Sequence, residues 1–219
     1  MKIAAFFKWI ASYLWGVELE RVQSNLNGQL YVLYIKGRKI LNARHGNYSF
    51  GVLHDAFRKA FRQAGITGIQ PQKCLLLGLG GGSVVTILRD ELKLSCFIRA
   101  IDFDPEVVSI AENHFNIKRF DNLEIIIRDA FDFVREDTDT YDLIVFDIYI
   151  DHEIPEKFES IEFLSLLKSR LDKKAILVFN KDISSKNMKL KKELFAKVFN
   201  GGRWIKVFKD SYFFIFNNG

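Results

Sequence analysis

From residue 74 onward, apolar segments of strand length alternate with helix-forming segments, and this alternation limits the possible folds more than any other feature. The strand-like segments read CLLLGL, CFIRAIDF, LEIIIRD, YDLIVFDIYI and KAILVFN. Strands that are apolar along their whole length are typical of a parallel sheet covered by helices on both faces. The chain closes with RWIKVFK and SYFFIFN, which have no helix between them. We therefore predict an α/β fold: a doubly wound, mostly parallel seven-stranded Rossmann-like sheet with a C-terminal antiparallel hairpin.

The segment before this alternation has a different pattern. Residues 28–44 are typical of a β-hairpin with its turn at 36–38. A helix is predicted from about residue 50 to residue 63, and GITGIQP then interrupts the regular structure. We expect two units: a small extension with an N-terminal helix, a β-hairpin and a second helix over residues 1–64, and a Rossmann-like domain over residues 68–219.

The most apolar part of the extension is IAAFFKWIASYLWGV, residues 3–17. It is too short to span a bilayer, Lys8 interrupts it, and it lacks the features of a signal peptide. We expect a helix that packs on the body of the protein or on a second subunit, which favours a homo-oligomer. A membrane-surface helix is the less favoured alternative, which Trp9, Tyr13 and Trp15 would suit.

The composition excludes several classes of protein. With 48% hydrophobic residues, 27% charged residues and three prolines, the chain is globular and not disordered. Its net charge of +5 permits an anionic partner without demanding one, and the lysines of residues 186–199 are expected to form a solvated helix face, not a nucleic-acid site. Cys74 and Cys96 lie in apolar runs, which indicates reduced thiols in a cytoplasmic protein. The four histidines show no metal-ligand spacing, so we expect no metal site.

A cluster of glycines follows the first strand of the alternation. Gly78, Gly80 and Gly82 give the spacing G-x-G-x-G, and Ser83 stands where the dinucleotide-binding fingerprint has its last glycine. A glycine-rich turn between the first strand and the first helix brings backbone close to a ligand at the carboxyl edge of the sheet. A tight turn that serves only helix–strand packing is the alternative.

Two acids follow at the ends of the next two strands. Asp102, before Phe103, lies one strand–helix step beyond the glycines, where a carboxylate can accept hydrogen bonds from ribose hydroxyls. Asp129, before Ala130, ends the third strand, where a carboxylate can accept from the exocyclic amine of adenine. Either acid can instead be a cap at a strand end. Together with the glycines, they predict a nucleoside-binding site.

These motifs resemble those of the class I S-adenosylmethionine-dependent transferases, and within them the spermidine synthase family of polyamine aminopropyltransferases. GQLYVLYIKGRKILN is similar to that family's small N-terminal sheet, CLLLGLGGGS to its glycine loop, and YDLIVFDIYID to its active-site strand. The resemblance implies S-adenosylmethionine, or its decarboxylated form, as cofactor. The cofactor-binding residues that it implies are Gly78, Leu79, Gly80, Gly81, Gly82, Asp102, Phe103, Asp129, Ala130 and Asp147. The catalytic candidates that it implies are Asp147, Tyr48 and Asp151.

The sequence departs from the family at the active site. Gly81 replaces an acid of the glycine loop, Ile150 stands where the second acid after the fourth strand is expected, and Asp151 comes one residue later. The stretch ARHGNYSFGVLH contains no acid, and Tyr48 is its only tyrosine. A diamine carries two positive charges and must lose a proton before it attacks, so its site needs several carboxylates. These departures weaken the prediction of polyamine synthesis.

Methyl transfer needs less from the protein, because positioning supplies most of the acceleration and a single base such as Asp147 suffices. Asp147 can also be a mere cap or sheet-edge residue. Our leading hypothesis is therefore an S-adenosylmethionine-dependent transferase that methylates a small acceptor, for example an amine. The alternatives are a polyamine aminopropyltransferase with a rearranged acid set, and a nucleoside-binding partner or sensor without turnover. A nicotinamide-dependent oxidoreductase is disfavoured by Ser83 and Asp129.

Overall fold

The computed structural model describes residues 2–44, 46–150, 153–182, 188–208 and 211–219. Its helices are α1 (Lys2–Ala11), α2 (Gly51–Ala64), α3 (Ser83–Thr86), α4 (Pro105–Phe115), α5 (Ala130–Glu136), α6 (Ile161–Ser169) and α7 (Met188–Val198). Its strands are β1 (Val17–Ser24), β2 (Gly28–Ile35), β3 (Arg38–Ala43), β4 (Gly46–Ser49), β5 (Lys73–Leu77), β6 (Phe97–Asp102), β7 (Leu123–Ile127), β8 (Tyr141–Phe146), β9 (Leu171–Asp182), β10 (Arg203–Phe208) and β11 (Ser211–Asn217).

The larger sheet has seven strands in the order β10-β11-β9-β8-β5-β6-β7. Strands β5 to β9 are parallel to their neighbours in this group, and β11 runs antiparallel to both β9 and β10. The predicted α/β fold is thereby confirmed, including its antiparallel C-terminal hairpin. Along β5, Cys74 and Leu76 belong to one core and Leu75 and Leu77 to the other, because successive strand residues point to opposite faces.

The smaller sheet has four antiparallel strands in the order β1-β2-β3-β4. The sequence predicts only the central hairpin, β2 and β3. Both outer strands are hard to recognise, because β1 is largely exposed and rich in charge and β4 has four residues. Leu30 and Leu41 of this sheet are buried against Val107 and Ile110 of α4, so the small sheet packs on a helix of the larger unit.

Helix α2 continues from the small sheet onto one face of the large sheet. The rings of Phe57 in α2 and Phe213 in β11 lie 5.1 Å apart, centroid to centroid, and both side chains are fully buried. The placement of α2 follows from its apolar stripe, which includes Ala56, Phe57, Ala60 and Phe61. Helix α2 therefore begins at the small sheet and packs on the large one.

Several element boundaries differ from the sequence predictions. The helix predicted over residues 83–92 is α-helical only to Thr86 and continues as a π-helical turn, Ile87–Glu91. The fourth strand of the large sheet ends at Phe146, not at residue 150, because Asp147 makes the last ladder bond with its N–H to the Leu77 carbonyl. Residues 147–150 lie beyond the strand and form part of a cavity wall.

The predicted N-terminal helix is present, but the large apolar side chains described on it, Phe6, Phe7, Trp9 and Ile10, are exposed. Phe7 is 64% exposed, and Trp15, which follows the helix, is 62% exposed. The segment is attached through polar atoms: Trp9 Nε1 donates to the Gly37 carbonyl, and the Gly37 N–H donates to Ser12 Oγ. Across the residues that the structure describes, no helix has the length and apolar character needed to cross a membrane.

Gly78→Ala is expected to destabilise the fold. An added Cβ would lie 2.3 Å from the backbone oxygen of Asp147, and Gly78 has a φ of +96°. Strained backbone of this kind costs about 1–3 kcal/mol, and we expect the free energy of unfolding from denaturant titration to fall by about that amount or more. Gly68→Ala is the matched control, since nothing lies within 4 Å of the position that its Cβ would take. Equal losses in both variants would contradict this account.

Candidate active site

A cavity of about 450 Å³ lies at the carboxyl edge of the large sheet. It opens where β5 has β6 on one side and β8 on the other, which is the position at which open α/β sheets bind ligands. Its volume suits a small molecule. The lining residues used below are Asn47, Tyr48, Val52, Leu53, Ala56, Gly78, Gly80, Asp102, Phe103, Arg128, Asp129, Ala130, Asp147, Ile148, Tyr149, Ile150, Lys157, Asn180 and Phe208.

The glycine-rich loop between β5 and α3 lines the cavity only in part. Gly78 and Gly80 line the cavity, whereas Leu79, Gly81 and Gly82 do not. The side chain of Leu79 is buried in the core, and a Cβ on Gly82 would meet Ile117. The backbone of the first half of the loop is therefore the part that a ligand can reach.

Ser83 joins the loop to the small sheet. Its hydroxyl accepts the Phe50 N–H at 2.6 Å and lies 2.9 Å from the hydroxyl of Ser49. Both serines are 2% exposed. Buried hydroxyl groups need hydrogen-bond partners, and Ser83 has them in Phe50 and Ser49. The serine at the last fingerprint position therefore connects the loop to the small sheet.

Gly81 lies in the same contact between the loop and the small sheet. A Cβ there would lie 3.2 Å from both Ser49 and Phe115. A longer acidic side chain would need these neighbours to move, because that separation is already tighter than ordinary packing. The space that an acidic side chain would occupy at position 81 is thus already filled by Ser49 and Phe115.

Asp102 is the most enclosed acid of the site, with 4% exposure. Its Oδ2 accepts the N–H groups of Leu79 and Gly80 at 3.0 and 3.2 Å, and its Oδ1 accepts the N–H of Asp104 at 3.1 Å. Burial raises its pKa to about 6, although these hydrogen bonds oppose the shift. A carboxylate has about four acceptor positions, so roughly one remains for a ligand hydroxyl.

Asp129 forms the N-cap of α5. Its Oδ1 accepts the N–H groups of Phe131 and Asp132, and its Oδ2 accepts from Lys157 Nζ. Burial alone would raise its pKa, but Lys157 and the backbone N–H groups outweigh burial and hold the pKa below its usual value. The capping role considered for this residue is therefore present, and Asp129 and Ala130 also line the cavity.

Asp147 lies at the carboxyl end of β8 and lines the cavity together with Asn180 of β9. Asn180 Nδ2 donates to Asp147 Oδ1 at 2.8 Å. Burial raises the pKa of Asp147 to about 8, with a further contribution from the charge of Asp102, while the Asn180 hydrogen bond opposes the shift. A carboxyl with such a pKa exchanges its proton near neutral pH, as a general base must.

The other two catalytic candidates differ from Asp147. The Tyr48 hydroxyl donates to Asn27 Oδ1 at 3.4 Å, and burial, reinforced by the charges of Asp102, Asp104 and Asp147, raises its pKa well above the usual value. Tyr48 is therefore a neutral hydrogen-bond donor near pH 7. Asp151 lies outside the residues that the structure describes.

The polar lining residues that were not anticipated from the sequence include Asn47, Arg128, Lys157 and Asn180. Asn180 offered a signal, because it ends the apolar run KAILVFN at the same sheet edge as Asp102 and Asp147. Asn47 and Lys157 offered none, since both come from irregular or short elements whose position depends on packing. Within the described ranges, no group of three or more His, Cys, Asp or Glu side chains is arranged to hold a metal ion.

A family profile described as "Methyltransferase domain" matches residues 72–210. The chain is 32% identical over 120 residues to a polyamine aminopropyltransferase of Vibrio vulnificus, covering 53% of this chain and 40% of that protein. It is 30% identical over 121 residues to the eEF1A lysine and N-terminal methyltransferase of Bos taurus, covering 50% of this chain and 17% of that protein. The chain thus spans less than half the length of these two relatives.

Two solved structures have a similar fold. Human methyltransferase-like protein 13 in complex with SAH aligns with a TM-score of 0.63 and 22% identity, over 78% of this chain and 83% of that one. A spermidine synthase in complex with the transition-state analogue AdoDATO aligns with a TM-score of 0.67 and 15% identity, over 93% of this chain and 74% of that one. At these identities the likeness concerns the fold.

Fold and family profile together define a class I S-adenosylmethionine-dependent methyltransferase fold, which spermidine synthase structures share. The family profile covers well over half of the sequence, and the chain belongs to the methyltransferase domain family. The resemblance predicted from the sequence is confirmed at this level. The relatives include both methyltransferases and aminopropyltransferases, so the type of group transferred is left open by them.

The raised pKa of Asp147 predicts a pH-dependent stability. Between about pH 4, the ordinary aspartate pKa, and about pH 8, the folded chain binds more protons than the unfolded chain, so stability falls as pH rises. We expect the ligand-free protein to have a higher free energy of unfolding at about pH 5 than at about pH 8. Asp147→Asn removes this proton, so the difference between wild type and variant in urea titrations isolates its contribution. An unchanged pH slope in the variant would contradict the assignment.

Proposed function

We propose that this chain transfers a methyl group from S-adenosylmethionine to a small acceptor that carries an amine or hydroxyl group. The observation that carries the proposal is that Asp147 has no second carboxyl beside it among the described residues on its part of the cavity wall. On the part of the cavity wall formed by β4, α2, residues 147–150, Asn180 and Phe208, Asp147 is the one carboxyl among the described lining residues. We name this part the acceptor side.

The side chains around Asp147 on the acceptor side are apolar or neutral. They are Asn47, Tyr48, Val52, Leu53, Ala56, Ile148, Tyr149, Ile150, Asn180 and Phe208. Such a wall suits an acceptor with an apolar body and one polar nucleophile. Asp147, oriented by Asn180, would take the proton of that nucleophile.

The opposite part of the wall fits the cofactor. The backbone of Gly78 and Gly80 lies open to the cavity, Asp102 retains an acceptor position for a ribose hydroxyl, and Phe103, Asp129 and Ala130 lie where the adenosine part would bind. S-adenosylmethionine would supply a methyl group that is already activated on its sulfonium. The residues of this chain then have to hold the acceptor in line, exclude water and accept one proton.

Aminopropyl transfer with decarboxylated S-adenosylmethionine is the second candidate, because the Vibrio vulnificus relative is named as an aminopropyltransferase. A diamine would bring two positive charges to an acceptor side that offers one described carboxyl.

We therefore expect incubation with putrescine and decarboxylated S-adenosylmethionine to give little or no spermidine. Cofactor binding without any turnover would favour the third candidate, a nucleoside-binding partner or sensor.

We further propose a cytoplasmic location, supported by the free, buried thiols of Cys74 and Cys96.

Asp102→Ala is expected to weaken cofactor binding, because the variant loses a hydrogen-bond acceptor for the ribose. Hydrogen bonds to charged groups contribute about 1.5–3 kcal/mol, so the dissociation constant for S-adenosylmethionine in calorimetry should rise roughly 10- to 150-fold. The matched control is Asp142→Ala. Asp142 also accepts two backbone N–H groups, from Gln72 and Lys73, but it does not line the cavity. Wild-type affinity in Asp102→Ala, or binding of NAD instead of S-adenosylmethionine, would refute the cofactor assignment.

Asp147→Asn is expected to reduce turnover by about 10²–10⁴, the range for a positioned acid or base, because the variant keeps the shape and loses the base. The readout is release of S-adenosylhomocysteine with a panel of small amines and phenols. Cofactor affinity should change little. If Asp147 is only a sheet-edge residue, turnover will be retained and stability alone will fall.

A second measurement applies before an acceptor is known. In the presence of methylthioadenosine, candidate amines should raise the melting temperature of the wild type and leave that of Asp147→Asn unchanged. Equal protection of both proteins would remove Asp147 from acceptor binding.

A further inference from the structure

The exposed large hydrophobic side chains of the protein are concentrated near its N-terminus. Seven of the fourteen that are exposed among the described residues lie between positions 6 and 15. They are Phe6, Phe7, Trp9, Ile10, Tyr13, Leu14 and Trp15, with exposed fractions from 39% to 75%. Single exposed hydrophobic residues are normal on a protein surface, but a contiguous patch of this kind indicates an interaction site. We call residues 6–15 the aromatic segment.

The aromatic segment presents one continuous surface. On a helix, positions 6, 7, 9 and 10 fall within an arc of roughly 160°, and Lys8 falls outside it. The rings of Phe6 and Trp9 stack with their centroids 6.2 Å apart, and Trp9 meets Tyr13 edge to face at 5.2 Å. The residues that follow α1 therefore extend the same patch.

Exposed cations lie next to this patch. The turn between β2 and β3 carries Lys36 and Arg38, both exposed, and its Gly37 is bonded to Trp9 and Ser12 of the aromatic segment. Lys8 is exposed as well, but it lies on the side of α1 opposite the apolar arc. The first acid along the chain after the segment, Glu18, is paired with Arg21 at 2.9 Å, and no ion pair between described residues involves Lys36 or Arg38.

We propose that the aromatic segment and the β2–β3 turn bind the surface of an anionic lipid bilayer. Tryptophan and tyrosine have an apolar body and a polar tip, which suits the boundary between acyl chains and headgroups. A ten-residue helix cannot span the bilayer, but it can lie in the interface with its apolar arc inserted. The cations beside the arc would then face anionic headgroups.

A second copy of this chain suits the patch less well. Two copies related by a two-fold axis would bring the same surface together, and the cations at positions 36 and 38 would meet like charges. The net charge of +5 adds to that repulsion, whereas it favours an anionic surface. Charge complementarity therefore selects the lipid surface, which reverses the preference that the sequence alone suggested.

The test uses the full chain in cosedimentation with vesicles of phosphatidylglycerol and of phosphatidylcholine. We expect binding to the anionic vesicles that weakens with salt, and little binding to the neutral ones. Phe7→Ser/Leu14→Ser and Lys36→Glu/Arg38→Glu should each lower the affinity about tenfold or more. The matched controls on α7 are Leu190→Ser, which removes another exposed hydrophobic side chain, and Lys192→Glu/Lys197→Glu, which makes the same change of charge.

Tryptophan emission supplies an independent readout. Trp9 and Trp15 lie on the aromatic segment, whereas Trp204 packs against Phe195 and Phe214, so insertion should shift the emission to shorter wavelength with anionic vesicles. Calorimetry with S-adenosylmethionine verifies that each variant remains folded. Absence of binding by the wild type, equal loss in the α7 controls, or an effect of Phe7→Ser/Leu14→Ser on the oligomeric state alone would overturn the proposal.

Discussion

The carboxylate of Asp102 determines much of the site, because it connects the glycine loop to the end of β6. It accepts two N–H groups from the loop, at Leu79 and Gly80, and one from Asp104 beyond the strand. These bonds hold backbone open to the cavity at Gly78 and Gly80. The same buried charge also raises the pKa of Asp147. One group thus shapes the glycine loop and influences the proton affinity of Asp147.

The small sheet contributes directly to the cavity. It reaches the loop through the hydroxyls of Ser49 and Ser83, and it places Asn47 and Tyr48 in the cavity wall. Two noted positions fall at this contact: Ser83, where the dinucleotide-binding fingerprint has a glycine, and Gly81, where the spermidine synthase pattern has an acid. Both are consistent with a small sheet that packs closely on the loop, since Ser83 bonds to it and Gly81 leaves room for Ser49.

Two acids of the site show how one carboxylate can serve both structure and chemistry. Asp129 caps α5 and pairs with Lys157, yet it also faces the cavity. Its pKa is held low, whereas that of Asp147 is raised. The difference arises from partners: Asp129 has an ammonium group and backbone N–H groups, and Asp147 has one amide. Different environments thus separate the pKa values of two carboxyls that line the same cavity.

The sequence by itself determined the class of fold and the positions of the acids at the carboxyl edge of the sheet. Apolar runs such as KCLLL and the acids that follow them are read directly, because a buried parallel strand leaves a local hydrophobic signature and its carboxyl end faces the ligand edge. The acceptor side was decided only by the tertiary structure. Val52, Leu53 and Phe208 come from segments far apart in the chain, and they meet because α2 packs its buried stripe against the large sheet. The raised pKa of Asp147 was also decided only by the tertiary structure, because it depends on burial and on Asp102. The exposure of Phe7 and Trp15 was decided there too, since an apolar helix has the same sequence pattern whether or not another surface covers it.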